Sequence, residues 1–224
     1  MLRSPLEEVP CVVALERRLP PFDWEEIFGR ATPVELEVGC GKGLYLVEAA
    51  RLRPHCGFVG VERAGKWFHR AVERVHRSQL TNIRLVRADA LDILTRWVPA
   101  DSLAAGHVYF PDPWPKRRHA PRRLLQEPLY SLLTRALRPG GTFFLATDVE
   151  PYFRQAVATI RARTELAEVS WPEDSPDRLP TNYARKYALE GRNLYYARFV
   201  RGARDTDGAI PPAAPGGGTS EEEI

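Results

Sequence analysis

A glycine-rich turn beside a carboxylate is the part of this sequence whose residue types and spacing could hold a ligand. Glu37 lies near the end of a short apolar segment, two residues before Gly39, and glycine recurs at Gly41 and Gly43 before a helical pattern begins. Glycine permits positive φ angles and lets a ligand approach the backbone closely. A carboxylate beneath the turn would repel phosphate, which such turns otherwise bind through free backbone N–H groups. We therefore predict a positively charged cofactor without phosphate, S-adenosylmethionine, at this turn.

Two more acids follow the next two apolar segments. Glu62 lies 19 residues after the glycine turn, where an acid in a nucleotide-binding α/β fold accepts hydrogen bonds from ribose hydroxyls. Asp89 follows the next segment and can accept a hydrogen bond from an adenine amino group, while the small Ala90 leaves room for the base. Because the carboxyl ends of parallel strands meet at one edge of a sheet, we expect Glu37, Glu62 and Asp89 to line one cleft.

A proline-rich loop follows the fourth predicted strand. It reads Phe110-Pro111-Asp112-Pro113-Trp114-Pro115-Lys116, and its prolines exclude a helix or a central strand, so the loop should form a stiff rim above the cleft. We expect Asp112 to face the methyl donor and Trp114 to offer a surface on which a base can stack. Basic residues flank the same rim and favour contact with RNA or DNA; they are Lys116, Arg117, Arg118, Arg122 and Arg123.

The residues between these groups predict an α/β scaffold that would position them. Apolar runs indicate strands at Val34–Val38, 58–61, Ile83–Val86, 107–110, 142–147 and 194–200. Helical patterns lie at about 64–79, 122–137 and 150–163, and the first of them places Trp67 and Phe68 in the core. We predict a lead-in over residues 1–33 packed on the domain, in which Asp23 caps a short helix, a methyltransferase domain over residues 34–202, and a disordered acidic tail over residues 203–224.

Composition and charge narrow the class of protein. The chain has 224 residues and a formal net charge of +3, and five of its 29 acids but only one of its 32 basic residues lie after residue 203. The preceding part is therefore more basic, which favours a polyanionic partner. Three cysteines without C-x-x-C spacing and five scattered histidines indicate neither disulfides nor a metal site. No apolar segment reaches the length of a signal peptide or membrane span, so we expect a cytoplasmic protein that does not enter a membrane.

Together these motifs resemble those of the bacterial tRNA (guanine-N7-)-methyltransferases over roughly residues 20–200. The glycine turn is shared by many methyltransferases, whereas the Pro-Asp-Pro-Trp loop followed by basic residues is far more selective. Ala146-Thr147-Asp148 and Thr181-Asn182-Tyr183 also occur in the order that the family shows. The resemblance implies a Rossmann-like class I S-adenosylmethionine-dependent methyltransferase fold, with a seven-stranded, mostly parallel sheet, a reversed last strand and helices on both faces.

The resemblance also implies a reaction and roles for individual residues. A methyl group would pass from S-adenosylmethionine to N7 of a guanosine in the variable loop of tRNA, and the protein would act as a monomer without an obligate protein partner. The cofactor would contact Glu37, Gly39, Gly41, Gly43, Glu62, Asp89, Ala90 and Asp112, of which Asp112 is also the active-site acid. The RNA and its guanosine would contact Lys116, Arg118, Arg122, Arg123, Asp148, Thr181, Asn182, Tyr183 and Ala184.

One residue departs from the family pattern. The family motif reads Thr-x-(Phe or Tyr)-Glu, and Ala184 stands where glutamate is usual. A glutamate there can accept hydrogen bonds from the guanine edge. Without it, discrimination between bases would be weaker, or Asp148 would accept these hydrogen bonds instead. Glu190, a few residues later in the sequence, is a further substitute.

Three other functions compete with this interpretation. A methyltransferase for an exocyclic amine or a protein often carries an Asn/Asp-Pro-Pro-Tyr motif after the fourth strand, which accepts a hydrogen bond from the amine and stacks on it. Asp112-Pro113-Trp114 offers the same kinds of group in a different sequence. An RNA-binding relative that has lost catalysis would fit Ala184, although the three acids of the cleft favour a competent cofactor site. An NAD-binding oxidoreductase is least favoured, because Glu37 and the G-x-G-x-G spacing suit a cofactor without phosphate.

Overall fold

The described part of the chain forms one sheet of seven strands. This computed structural model describes residues 8–114, 118–119, 123–175, 178–179 and 181–202. The strands are β1 (Val34–Val38), β2 (Gly57–Val61), β3 (Ile83–Val86), β4 (Leu103–Tyr109), β5 (Leu137–Thr147), β6 (Leu166–Val169) and β7 (Tyr195–Arg201). Their order across the sheet is β3-β2-β1-β4-β5-β7-β6, and β7 runs antiparallel to both neighbours while the other pairs are parallel. The predicted sheet with its reversed last strand is therefore confirmed.

Helices cover both faces of this sheet. They are α1 (Trp24–Phe28), α2 (Leu44–Leu52), α3 (Gly65–Ser78), α4 (Ala90–Asp92), α5 (Leu129–Ala136), α6 (Glu150–Arg163) and α7 (Asn182–Leu189), and a π-helical turn, Ile93–Trp97, extends α4. The connections through α2 and α3 cross the sheet in one direction and that through α5 in the other, so right-handed crossovers put them on opposite faces. Two hydrophobic clusters result, one containing Leu46 and Phe68 of α2 and α3, and one containing Tyr130 and Ile160 of α5 and α6.

Strand β1 carries two carboxylates into the interior. Its sequence, Val-Glu-Leu-Glu-Val, alternates apolar and acidic residues, a pattern that usually indicates a strand with one face in water. All five residues are nevertheless buried, because helices cover both faces of the sheet. Glu35 and Glu37 are two residues apart and therefore point to the same face. This face is the one that α2 covers, since Glu35 accepts a hydrogen bond from Arg53, directly after that helix.

The residues before β1 cover the outer edge of β3. The backbone N–H of Val13 donates to Leu85 O at 2.9 Å, and the N–H of Leu85 donates to Cys11 O at 2.7 Å. These bonds occupy backbone groups that an edge strand would otherwise leave unpaired. Farther along, the side chain of Asp23 caps α1 by accepting a hydrogen bond from Glu26 N at 3.0 Å, as predicted.

One predicted helix is shorter in the structure, and one helix of the structure was not predicted. The helix predicted at 122–137 spans only Leu129–Ala136, because Pro128 precedes it and Leu137 already pairs with Leu103 in the sheet. Strand β5 is correspondingly longer at its start than the predicted 142–147. Helix α7 was not predicted from sequence, although Thr181 caps it by accepting a hydrogen bond from Ala184 N at 2.9 Å.

Gly60 of β2 is a position where we predict a large loss of stability. A Cβ atom there would lie 2.4 Å from Leu46 Cδ1 and 2.9 Å from both Cys40 Sγ and Leu85 Cδ2. We expect Gly60→Ala to lower the free energy of unfolding by about 1–3 kcal/mol through overpacking, measured by urea denaturation. Gly202→Ala is the control, because no atom of the other described residues, its chain neighbours aside, lies within 4 Å of its Cβ position. An equal effect of both substitutions would contradict the packing argument.

Candidate active site

A cavity of about 930 Å³ opens at the carboxyl ends of β1, β2 and β4. Its volume is within the range of about 300–1,000 Å³ that is usual for small-molecule sites. It brings together these predicted site residues: Glu37, Gly39, Gly41, Glu62, Asp89, Ala90, Asp112, Arg123, Thr181, Asn182 and Tyr183. Outside its lining lie Gly43, Arg118, Asp148 and Ala184. Lys116 and Arg122 are outside the described residues.

The glycine turn forms the wall of the cavity next to β1. Gly39, Gly41 and Gly43 have φ angles of 72°, 55° and 67°, in the left-handed region that glycine enters without strain. Among the described residues, no atom beyond the adjoining residues lies within 4 Å of a Cβ placed on Gly39 or Gly41, so these glycines are required for backbone conformation and leave space open beside the turn. Gly43 instead packs on Ala71, whose Cβ would lie 3.4 Å from its own.

Glu37 lies in the wall of the cavity with an unused acceptor. Its side chain is buried, and within the described part of the chain nothing donates a hydrogen bond to Oε2. Burial, and then the negative charge of Glu62, raise the pKa of Glu37 to about 8. A buried carboxylate oxygen without a donor is costly unless a ligand supplies one. The site therefore fits a ligand with a cationic or hydrogen-bond-donating group, as predicted for the cofactor.

Glu62 and Asp89 hold the backbone around this wall. Glu62 accepts hydrogen bonds from Gly41 N at 3.0 Å and from Ala64 N at 2.7 Å, and so ties the glycine turn to the start of α3. Asp89 caps α4 by accepting from Leu91 N at 2.9 Å, and it pairs with Arg63 at 3.5 Å. Each carboxylate oxygen can accept more than one hydrogen bond, so both residues keep capacity for a ligand.

Trp67 lines the cavity, so the prediction that placed it in the core is wrong, whereas that for Phe68 is confirmed. Trp67 is half-buried, and the ammonium groups of Lys42 and Lys66 each lie 5.2 Å from its ring centroid. Trp67 is in the first turn of α3, beside the cleft, where an amphipathic pattern does not distinguish core from ligand site. Lys42 was also missed, although it lies within the glycine turn.

The loop after β4 holds Asp112 at the cavity with a strained backbone. Phe110 and Trp114, which bracket it, have φ angles of 50° and 43°, unusual for bulky residues and costly by roughly 1–3 kcal/mol each. Asp112 itself is exposed, and no donor to its carboxylate exists among the described residues. The backbone conformation therefore positions Asp112 and leaves its charge available to a ligand.

Arg123 joins this loop to the rest of the protein. Its Nε donates to Pro113 O at 3.0 Å and its Nη2 donates to Trp114 O at 3.2 Å, while the guanidinium lies 5.6 Å from the ring centroid of Tyr152. The basic residue predicted to contact RNA thus has its guanidinium on the carbonyls of the loop. We infer that Arg123 also orients the loop that carries Asp112.

Arg123→Lys is expected to disturb the loop although it keeps the charge. A lysine ammonium lacks the planar, two-pronged geometry with which the guanidinium donates to both carbonyls beside the Tyr152 ring. We expect kcat for methyl transfer to fall about tenfold with little change in the affinity for cofactor. Arg163→Lys is the control, because Arg163 is exposed at the end of α6 and outside the cavity. An unchanged kcat in Arg123→Lys would show that Arg123 contributes charge alone.

Helix α7 closes another wall of the cavity. Thr181, Asn182 and Tyr183 line it, and so does Lys186, which sequence reasoning missed. Lys186 lies one helical turn after Asn182, a spacing that would have identified it had the helix been predicted. Ala184 is the third residue of the helix and is buried in the hydrophobic cluster, so it presents no polar group to the cavity.

The two acids considered as substitutes for a glutamate at position 184 share one partner. Arg192 binds Asp148 at 2.8 Å and Glu190 at 2.8 Å. Both carboxylates lie outside the cavity lining. In this arrangement Arg192 offsets both negative charges, and Lys186, at 3.6 Å, also offsets that of Glu190.

A buried polar cluster lies against the floor of the cavity, and sequence reasoning missed it. Glu35 accepts hydrogen bonds from Arg53 at 2.9 Å and from His107 Nε2 at 3.0 Å. Burial alone would raise the pKa of Glu35, but the hydrogen bond from His107 and the charge of Arg53 bring it below its usual value. His107 also contacts the hydroxyls of Tyr45 and Tyr109, and both tyrosines line the cavity.

The described residues contain neither a cluster of metal ligands nor a helix able to span a membrane. No group of three or more histidine, cysteine, aspartate or glutamate side chains is arranged to hold a metal ion in the described ranges. Within those ranges, no helix combines the length and the apolar character needed to cross a bilayer. The three cysteines, Cys11, Cys40 and Cys56, are buried thiols.

Sequence comparison relates the chain to named enzymes. Residues 31–197 match the family described as a putative methyltransferase. The chain is 38% identical over 184 residues to the tRNA (guanine-N(7)-)-methyltransferase of Cupriavidus pinatubonensis, with 80% of this chain and 72% of the relative covered. It is 35% identical over 206 residues to the enzyme of the same name from Myxococcus xanthus, with 91% of this chain and 100% of the relative covered.

Structural comparison identifies the same fold at lower sequence identity. The 16S rRNA (adenine(1408)-N(1))-methyltransferase W203A mutant with cosubstrate SAM from Catenulisporales acidiphilia superimposes with a TM-score of 0.57 at 19% identity, covering 86% of this chain and 96% of that one. The aminoglycoside resistance methyltransferase NpmB1 gives a TM-score of 0.55 at 18% identity, with 82% and 94% covered. At these identities the likeness establishes the fold alone.

Proposed function

The chain belongs to the tRNA (guanine-N7-)-methyltransferase family, and from that premise we propose that it methylates N7 of a guanosine in tRNA with S-adenosylmethionine as the methyl donor. The observation that carries the proposal is one cavity in which Glu37, whose Oε2 has no donor among the described residues, forms part of the wall and Asp112 stands exposed at the rim. We further propose that the guanosine is in the variable loop, and that the protein acts as a monomer in the cytoplasm.

S-adenosylmethionine supplies a methyl group bonded to a positively charged sulfur. Glu37 would hold a cationic or donor group of this cofactor, and Glu62 and Asp89 would accept hydrogen bonds from its ribose and adenine. Gly39 and Gly41 would let the cofactor approach the backbone of the turn, because no side chain of the described residues occupies the space beside them. This assignment uses the acceptors that the wall leaves available.

Asp112 would act on the charge that develops on the guanine. N7 already has a free lone pair, so the nucleophile needs no base, and the purine becomes positively charged as it gains the methyl group. A fixed carboxylate beside it favours that charge in the transition state. We therefore assign Asp112 a positioning and electrostatic role, with Phe110 and Trp114 fixing its loop.

We assign the substrate guanosine to the side of the cavity formed by α7. Thr181, Asn182, Tyr183 and Lys186 would surround it, and Trp114 at the rim offers a stacking surface. Ala184 leaves this wall without a carboxylate for the guanine edge, so either Asp148 or Glu190 takes that part or base selection is weaker. Lys116, Arg118 and Arg122 would contact the RNA at the rim.

The test is methylation of an unmodified tRNA transcript by the purified protein with labelled S-adenosylmethionine, followed by borohydride and aniline treatment, which cleaves RNA at 7-methylguanosine. Cleavage at one variable-loop guanosine is the expected result. Label without cleavage would assign the methyl group to another atom, as for an exocyclic-amine methyltransferase. Cofactor and tRNA binding without incorporated label would favour an RNA-binding relative that has lost catalysis.

A further inference from the structure

Helix α3 carries a line of basic residues that leads away from the cavity. Lys66, Arg70, Arg74 and Arg77 follow one another at spacings of four, four and three residues, which places them along one face of the helix. From Lys66 to Arg77 the helix rises about 16 Å. The buried residues of α3 lie on its other side, in the hydrophobic cluster.

Acidic residues neutralise this line only in part. Glu73 is the one acid in α3, and it pairs with Arg70 at 3.2 Å. Neither Lys66 nor Arg74 makes an ion pair with any residue in the described ranges. A solvated surface helix more commonly alternates charges of both signs, so this face is unusual in keeping a surplus of one sign.

A basic residue of α7 adds to this surplus of positive charge. Burial, and then the positive charges of Arg77 and Arg185, lower the pKa of Arg74, and the negative charge of Glu48 on α2 offsets them only in part. Arg185 comes from the helix whose first turn lines the cavity, so two helices direct like charges toward one place. Crowding of like charges is unfavourable in the free protein, and a bound polyanion would relieve it.

The line reaches the cavity at Trp67. Lys66 begins the line, and its ammonium group lies 5.2 Å from the ring centroid of Trp67, which lines the cavity. Lys42 lies at the same distance on the cavity side. Basic residues that continue from an aromatic side chain at a reaction site are the means by which proteins follow a nucleic-acid strand.

We propose that Lys66, Arg74, Arg77 and Arg185, here called the α3 stripe, bind the phosphate backbone of the substrate RNA outside the nucleotide whose base enters the cavity. The inference rests on the proposed function, which it deepens by assigning a second contact surface. The stripe contributes affinity and register, and Arg74 and Arg185 do not touch the reacting atoms, since neither lines the cavity.

The test compares two double variants with the wild-type protein. Arg74→Ala/Arg185→Ala removes two charges of the stripe, and Arg138→Ala/Arg163→Ala removes two exposed charges outside the stripe and the cavity, at the start of β5 and the end of α6. The dissociation constant for unmodified tRNA transcript is measured from 0.05 to 0.5 M KCl (about one decade of salt), together with kcat and the affinity for S-adenosylmethionine.

Loss of two phosphate contacts should lower the salt slope of log K by about 1.4 and weaken tRNA binding roughly 10- to 30-fold at ~0.1 M salt. We expect this of the stripe variant alone, with kcat at saturating tRNA and cofactor affinity unchanged in both variants. Equal slopes in both variants, with normal N7 methylation by the wild type, would overturn the stripe and leave the proposed function intact. A wild type that neither binds nor methylates tRNA would instead overturn the proposed function, and the stripe with it.

Discussion

Asp112→Ala is expected to lower the rate of methyl transfer by about 10²- to 10³-fold, the usual effect of removing one preorganised group that stabilises transition-state charge. Asp112 is exposed at the cavity rim without a described donor, so its removal leaves no buried partner unsatisfied. The fold and the affinity for cofactor should therefore change little. Single-turnover methylation of tRNA at saturating cofactor measures the effect.

Two further substitutions separate charge from position at this residue. Asp112→Asn keeps the shape but removes the charge, and we expect it to be nearly as slow as Asp112→Ala. Asp174→Ala removes an exposed carboxylate outside the cavity and should leave the rate unchanged. Full activity in purified Asp112→Ala would show that the carboxylate has no part in the transfer.

Glu37→Gln is the second change with a large expected effect. The pKa of Glu37 is raised to about 8, so the free protein holds a proton there at pH 7. A cationic ligand favours the ionised form, and binding should therefore release this proton. We expect wild-type affinity for S-adenosylmethionine to increase roughly tenfold per pH unit between about pH 6 and 7.5, and Glu37→Gln to bind roughly 10- to 100-fold more weakly at the upper end without that dependence.

Calorimetric titration in buffers of different ionisation enthalpy measures the released proton directly. Glu25→Gln serves as the control, because Glu25 is exposed in α1 and outside the cavity. A Glu37→Gln protein that released as many protons as the wild type would assign the titration to another group.

The same carboxyl group gives the free protein a pH-dependent stability. The pKa of Glu37 is 4.5 in an exposed side chain and about 8 in the folded protein. The contribution of Glu37 to the free energy of unfolding is therefore fully present below about pH 4.5 and is lost as the pH rises through 8. The free energy of unfolding in urea should therefore differ less between pH 6 and pH 8 in Glu37→Gln than in the wild type. Groups that titrate in both proteins contribute equally to the two differences and cancel in the comparison.

The glycine turn and the strand ends could be predicted because local chemistry determines them. Three glycines take the positive φ angles that only they enter freely, and strand β3 has the predicted bounds, Ile83–Val86. The family resemblance supplied what local pattern does not, namely which strand is reversed and which residues would contact guanosine.

The residues that were missed depend on contacts between distant parts of the chain. Trp67 and Phe68 belong to one amphipathic helix, yet only Trp67 lies at the cavity, because that depends on where the helix begins relative to the cleft. Glu35 is buried through Arg53 and His107, which are 18 and 72 residues away. No periodicity within one segment contains that information.

Helix α7 shows how a local signal can be present and still be passed over. Thr181 is an N-cap residue by type, but the prolines before it indicated a continuing loop. The third helical position, Ala184, is where a capping box places an acid that returns to the cap. Without an acid there, the sequence shows only half of that signature.

Because of the position of β7, the sheet can be completed only after this strand has been synthesised. The last strand of the sheet inserts between β5 and β6, so β5 has an open edge and β6 has no partner strand until residues 195–201 have been made. Arg201 then closes the arrangement by binding Asp101 and the carbonyl of Leu137. A nascent chain that stalls before this point exposes the apolar edge of β5, the kind of surface through which incomplete proteins aggregate.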